Sequence, residues 1–182
     1  EVGEGITEYI EANTVRLGDI EVVKSSFIFG GSASGKSNVI RAFQLLRDII
    51  VYGTSSDLES LPVDTFANGA GNTYFKIRFI KNGNLYSYEL NYDDNNINKE
   101  CLVVNDNIIF KRTIDDIIMP LSIKGLKGAL RANQSLLYFA QSNNVSETKV
   151  AYEWFAQDIL VLSLSNIDLC NQELFKPLYT NP

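Results

Sequence analysis

The feature that most constrains this chain is an eight-residue stretch, Gly30-Gly31-Ser32-Ala33-Ser34-Gly35-Lys36-Ser37, set between segments of two different hydrophobic periods. Before it, Ser26-Phe27-Ile28-Phe29 is a short apolar run that reads as a buried strand. After it, Val39, Phe43, Leu46 and Ile50 recur at three- and four-residue spacing, with Ile40 and Ile49 widening the stripe. That periodicity predicts an amphipathic helix ending near Gly53. A strand, a glycine-rich turn and a helix in this order form the context that the pattern G-x-x-x-x-G-K-[ST] requires, and the eight residues fit it.

The chemistry needs those residues at that spacing. Gly30 lets the chain leave the strand and Gly35 lets it curl into the helix, so that consecutive backbone N–H groups face inward toward a phosphate. The positive end of the helix dipole falls at the same place. Gly30, Gly31, Ser32, Ala33, Ser34, Gly35, Lys36, Ser37 and Asn38 are therefore the candidate nucleotide-binding residues. Lys36 is the candidate catalytic group, a point charge for the β- and γ-phosphates, and Ser37 the candidate Mg²⁺ ligand. The competing reading, a Gly/Ser linker, does not account for the strand before the stretch or the helix after it.

From Phe27 to Arg41 the sequence FIFGGSASGKSNVIR resembles the Walker A segment of ABC-type ATPases of the SMC/RecF class. It is most similar to bacterial AAA-annotated ATP-binding proteins related to abortive infection and phage defence. That family's loop typically reads G-x-N-x-S-G-K-S-N, which Ser34 to Asn38 match, while Ser32 stands where the family has Asn. Leu45-Leu46-Arg47 fits the end of its helix. Weaker likenesses are Phe75 to Phe79 with Tyr86-Ser87-Tyr88, Glu100-Cys101-Leu102, Phe110-Lys111-Arg112 and Tyr152-Glu153-Trp154-Phe155. The resemblance implies ATP and Mg²⁺ as ligands, a homodimer closed around nucleotide, an effector protein as partner, and Gln141 as a further Mg²⁺ contact. A solvated glutamine at a helix end is the plainer reading of Gln141. The family's signature motif and its Asp-Glu-ended Walker B strand have no counterpart: Ile159 to Leu164 is apolar enough but runs into Ser165-Asn166. It reads as a core strand. The expectation is thus the N-terminal part of one ATPase domain.

Elsewhere the pattern divides the chain. Residues 1–53 hold an early strand and turn at Thr14 to Val23, then the loop and its helix. Residues 54–73, rich in Ser, Gly, Asp and Asn, read as a long mobile connection. Over 74–112 the period drops to two: Phe75, Ile77 and Phe79 alternate with polar neighbours, Asn82-Gly83 suits a type I′ turn, and Tyr86, Tyr88 and Leu90 return. Strands follow at Ile97 to Val104 and Ile108 to Phe110. In 113–182 helical patterning resumes: Ser135 to Ala140 is apolar enough for a buried helix or strand, and Ser146 to Gln157 reads as a helix, where Ser146 is positioned to cap and Val145 and Val150 to form a staple. The predicted fold is α/β, a P-loop type with a mixed sheet, an antiparallel subdomain and a helical region.

Composition narrows the function. The chain of 182 residues contains no histidine, and its two cysteines stand 69 positions apart, which excludes Cys/His zinc sites and histidine-based nucleophilic catalysis. This usage suits a reducing cytoplasm. No apolar run is long enough for a membrane span. The net charge of −6 opposes sequence-independent attraction to nucleic acid and leaves that partner dependent on a local basic patch; Lys24, Arg41 and Arg47 could line a nucleic-acid path, while scattered basic residues in an acidic chain are usually solvated faces. Two functions fit: an ATPase head driving a nucleotide-dependent switch in phage defence or a nucleic-acid-related process, or a nucleotide-responsive interaction module without hydrolysis. In the second, ATP would order Thr54 to Asn72 or a dimer surface.

Overall fold

The computed structural model describes residues 10–18, 20–63 and 71–161. A short helix α1 (Ile10–Asn13) leads into a two-stranded antiparallel hairpin, β1 (Thr14–Leu17) and β2 (Ile20–Val23), turned at Gly18. Helix α2 (Lys36–Val51) follows the glycine-rich stretch. Next comes a five-stranded sheet of β3 (Thr73–Lys81), β4 (Asn84–Tyr92), β5 (Ile97–Val104), β6 (Asn107–Thr113) and β7 (Ile117–Ile118), in sequence order. A 3₁₀ stretch (Leu121–Ala129), α3 (Leu136–Ser142), α4 (Ser146–Glu153) and a π-helical turn (Trp154–Asp158) complete the described chain.

The sheet is a meander because every connection in it is a short turn. Asn82 and Gly83 both take positive φ, 52° and 75°, as the two central residues of a type I′ turn must. The register pairs Phe79 with Tyr86, Ile77 with Tyr88 and Phe75 with Leu90, so one face collects the apolar residues. That inner face packs under α2, α3 and α4. Phe79 stacks on Trp154 with centroids 3.8 Å apart, and Phe155 meets both Phe79 and Tyr88 edge-on. Such aromatic pairs add about 0.5–1.5 kcal/mol each beyond area burial. From α2, only the C-terminal half contributes: Leu46, Ile49 and Ile50 are buried, whereas Val39, Ile40 and Phe43 are exposed. The α4 and π-turn segment runs antiparallel along α2, with Tyr152 Oη donating to Val51 O at one end and Arg47 Nη2 donating to Ala156 O nearer the middle.

Several expectations change. The expected mixed sheet is absent among the described residues, where all strand pairs are antiparallel. The run Ser26 to Phe29 is unpaired and exposed, Phe27 at 79% and Phe29 at 88%, not a buried strand. Strand formation needs a neighbour's N–H and C=O groups, and the described strands satisfy theirs within the hairpin and the meander. Ser146 does not cap α4; Val145 holds that position, because its side chain is drawn into the core. Ser135, by contrast, caps α3, its Oγ accepting from the N–H groups of Leu137 and Tyr138. Residues 159–161 are not in a strand, and the rest of the Ile159 to Leu164 expectation lies outside the described residues, as does Cys170.

Over residues 54–63 the connection after α2 is tied to the rest of the fold by hydrogen bonds, and residues 64–70 of it lie outside the described residues. Asn133 Nδ2 donates to Ser56 O and Glu59 O, Leu61 N donates to Asp94 O, and Tyr92 Oη donates to Pro62 O at 2.8 Å. Burial pushes the Tyr92 phenol up to about 12, against about 10 for an unfolded chain. A raised folded value stabilises fully below the unfolded one and is lost as pH rises through the folded one. Thermal melts between pH 9 and 12 are expected to show a steeper fall above about pH 10 for the native chain than for Tyr92→Phe. Parallel curves would show that this phenol does not drive the alkaline loss.

Candidate phosphate-binding site

The stretch Gly30 to Ser37 forms a tight exposed loop ending in the first turn of α2. Gly35 is the helix N-cap at φ 86°, a left-handed conformation that a β-carbon would strain. Ala33 also lies at φ 61°, which costs an L-residue roughly 1–2 kcal/mol. Such stored strain clusters at functional sites. Backbone bonds close the loop, Ser34 N to Gly31 O at 3.4 Å and Asn38 N to Gly35 O at 2.9 Å. At Gly30 a β-carbon would lie 2.7 Å from Ser34 Oγ and would push that hydroxyl out of its present position beside Lys36 Nζ.

Two features suit this loop to an anion. No side chain caps the N-terminus of α2 and no acid stands in its first turn, so the dipole end faces outward uncompensated. Lys36 Nζ is folded over the same loop, donating to Gly30 O at 2.7 Å, Gly31 O at 2.6 Å and Ser34 Oγ at 3.1 Å. Its positive charge is thereby concentrated on the loop by exposed bonds that an incoming phosphate oxygen can replace. Ser32, Ala33, Ser34, Ser37 and Asn38 are all exposed, and Ser37 follows Lys36 in the first turn, open to a ligand.

Gln141 is placed elsewhere. It lies near the end of α3, one turn beyond Tyr138, whose ring abuts Gly53 just past the C-terminus of α2. The 16 residues of α2 put the loop about 24 Å away along the helix axis. The structure therefore groups Gly30 to Asn38 in one unit and sets Gln141 toward the opposite end of α2.

The buried polar centre holds α3 itself. Glu100 is fully buried and accepts four hydrogen bonds, from Tyr88 Oη, Ser135 Oγ, Leu136 N and Leu137 N, at 2.8, 2.9, 2.6 and 3.0 Å. Arg112 pairs in register with Glu100 across β5 and β6 and donates to the carbonyls of Gln134, Arg131 and Ala132. Burial draws the Arg112 guanidinium below its usual range, and the Glu100 carboxylate opposes that shift. The sequence signal for this centre was a charge in core phase, since Glu100 alternates with Leu102 and Arg112 with Phe110.

An α/β domain with an uncapped helix behind a G-x-x-x-x-G-K-S loop defines a P-loop, ATPase-like class. Residues 25–138, more than half of the chain, match a family model described as "AAA domain, putative AbiEii toxin, Type IV TA system", and the chain belongs to that family. The family associates it with abortive infection and toxin–antitoxin function. No curated protein and no solved structure matches it. Among the described residues, no helix is long and apolar enough to cross a membrane.

Proposed function

We propose that this chain is the nucleotide-gripping part of an ABC/SMC/RecF-like ATPase head, which uses Mg²⁺-ATP to switch an abortive-infection response. The observation that carries the reading is the uncapped N-terminus of α2 with the Lys36 ammonium folded over the same loop. In this reading the loop N–H groups of Gly31 to Ser37 cradle the phosphates, and Lys36 exchanges its carbonyl partners for β- and γ-phosphate oxygens. Ser37 Oγ would hold Mg²⁺, which when bound neutralises charge building on the phosphates. The exposed apolar residues beside the loop, Phe27, Phe29, Ile40 and Phe43, would be covered in a homodimer closed around nucleotide, with an effector protein receiving the switch.

Binding is the direct test. Mg²⁺-ATP titrated calorimetrically into the native chain is expected to bind, and Lys36→Ala to weaken it by about ten-fold or more, the loss of one charge-assisted contact. The bonds of Lys36 lie within the exposed loop and outside the core, so the variant should melt with the native chain. Equal affinity in the two proteins overturns the assignment. Phosphate release measured on the same samples separates the readings: turnover supports the ATPase, and tight binding without release supports a switch that does not hydrolyse.

A further inference from the structure

The inner face of the five-stranded sheet packs against the helices, while the outer face is open and sets a charged patch among the apolar residues Ile80, Leu85, Val103 and Ile118. The register places Tyr74, Lys76 and Arg78 of β3 on the outer face with Ser87, Glu89 and Asn91 of β4. Lys99 and Cys101 of β5 and Lys111 and Thr113 of β6 continue it. Four cations thus share that face with one carboxylate, a surplus of three positive charges in a chain whose net charge is −6. The carboxylate is already engaged: Glu89 Oε1 takes Lys76 Nζ at 2.8 Å and Oε2 takes Lys99 Nζ at 2.5 Å. Its partners hold the Glu89 carboxyl below the usual carboxylate range. Arg78 and Lys111 are exposed, and Tyr74 is 53% exposed at the edge of the same surface.

We propose that this outer sheet face is a docking surface for single-stranded nucleic acid. Charge complementarity selects a polyanion, because a surplus of like charge on one face of an acidic molecule is neutralised by a partner with regularly repeated negative charge. Spacing selects a strand. Lys76 and Arg78 are separated by one pleat repeat, about 6.6 Å, and Lys76 and Lys111 end one cross-strand row about 14 Å long. Those intervals suit successive phosphates of an extended backbone crossing the sheet. Tyr74, one pleat from Lys76, offers a ring on which a base can stack, and the polar Ser87 and Asn91 can reach base edges. The surface is separate from the phosphate loop, so the proposal stands or falls independently of nucleotide binding.

Fluorescence anisotropy of a labelled oligothymidylate, titrated with the full chain across about 50 to 200 mM salt, tests it. Binding is expected, with Arg78→Gln and Lys111→Gln each reducing the salt slope by about 0.7, the share of one neutralised phosphate on a single strand. The double reversal Arg78→Glu/Lys111→Glu should weaken binding about ten-fold or more, and Tyr74→Ala about five-fold or more. Lys36→Ala should leave it unchanged. These side chains face solvent, and thermal melts matching the native chain confirm that the variants are folded. The proposal is overturned by the absence of binding at the lowest salt, or by unchanged affinity in the charge variants. It is equally overturned if polyglutamate competes as well as the oligonucleotide, which identifies an acidic protein as the occupant, or if Tyr74→Ala has no effect and duplex competes equally.

Discussion

Glu100→Ala is expected to lower the unfolding free energy by about 3 to 5 kcal/mol, the cost of removing one member of a buried charged network. The carboxylate satisfies two N–H groups in the first turn of α3, the Ser135 hydroxyl and the Tyr88 hydroxyl. Alanine leaves those donors in a site closed to water and removes the negative charge opposite Arg112. It also removes a favourable anion from a helix N-terminus. Urea unfolding followed by the single tryptophan, Trp154, would measure the loss as a lower midpoint at unchanged slope. Tyr88→Phe removes one bond to the carboxylate and should cost about 1 kcal/mol; Ser135→Ala removes its bond to Glu100 and the α3 cap together and should cost about 1–2 kcal/mol. A Glu100→Ala loss no larger than theirs would show that the carboxylate is replaceable by packing.

The two kinds of prediction from sequence fared differently for a physical reason. The loop and the Asn82-Gly83 hairpin were legible because each is set by contiguous residues: positive φ at Asn82, Gly83 and Gly35 is a local demand. The alternation over Phe75, Ile77 and Phe79 was legible because one buried face fixes a period of two. Pairing is a different matter. The Ser26 to Phe29 pattern signals an extended apolar segment but contains nothing that specifies its neighbour, and among the described strands it has none. Likewise Ser146 has the side chain of a cap, yet the start of α4 is set by Val145 entering the core, a tertiary effect.

The candidate site was legible as a phosphate loop and not as a complete centre. Backbone chemistry makes the loop, so eight consecutive residues suffice to read it. Gln141 was placed by resemblance, and its position depends on how α3 meets α2, which no local pattern encodes. The Tyr138 contact with Gly53 settles it in the structure. The weaker likenesses at Glu100-Cys101-Leu102 and Phe110-Lys111-Arg112 acquire a physical meaning there. They bring a carboxylate and a guanidinium into register at the base of α3.

That α2–α3 junction carries the second large effect. Gly53→Ala is expected to destabilise the chain by about 2 to 5 kcal/mol, from two separable sources. Gly53 sits at φ 61°, where an L side chain costs roughly 1–2 kcal/mol. A β-carbon there would also lie 2.6 Å from Tyr138 Cδ1 and 2.7 Å from Cε1, well inside contact distance. The Tyr138 ring is part-buried, so relieving the clash requires it to swing away from Gly53 and give up its contact with the end of α2. Overpacking of that kind costs about 1–3 kcal/mol. A double-mutant cycle with Tyr138→Ala separates the sources. In the Tyr138→Ala background the Gly53→Ala penalty should shrink to the conformational part alone, leaving a coupling of about 1 kcal/mol or more. Strict additivity would mean that the ring moves aside freely, and that the left-handed backbone alone explains the glycine.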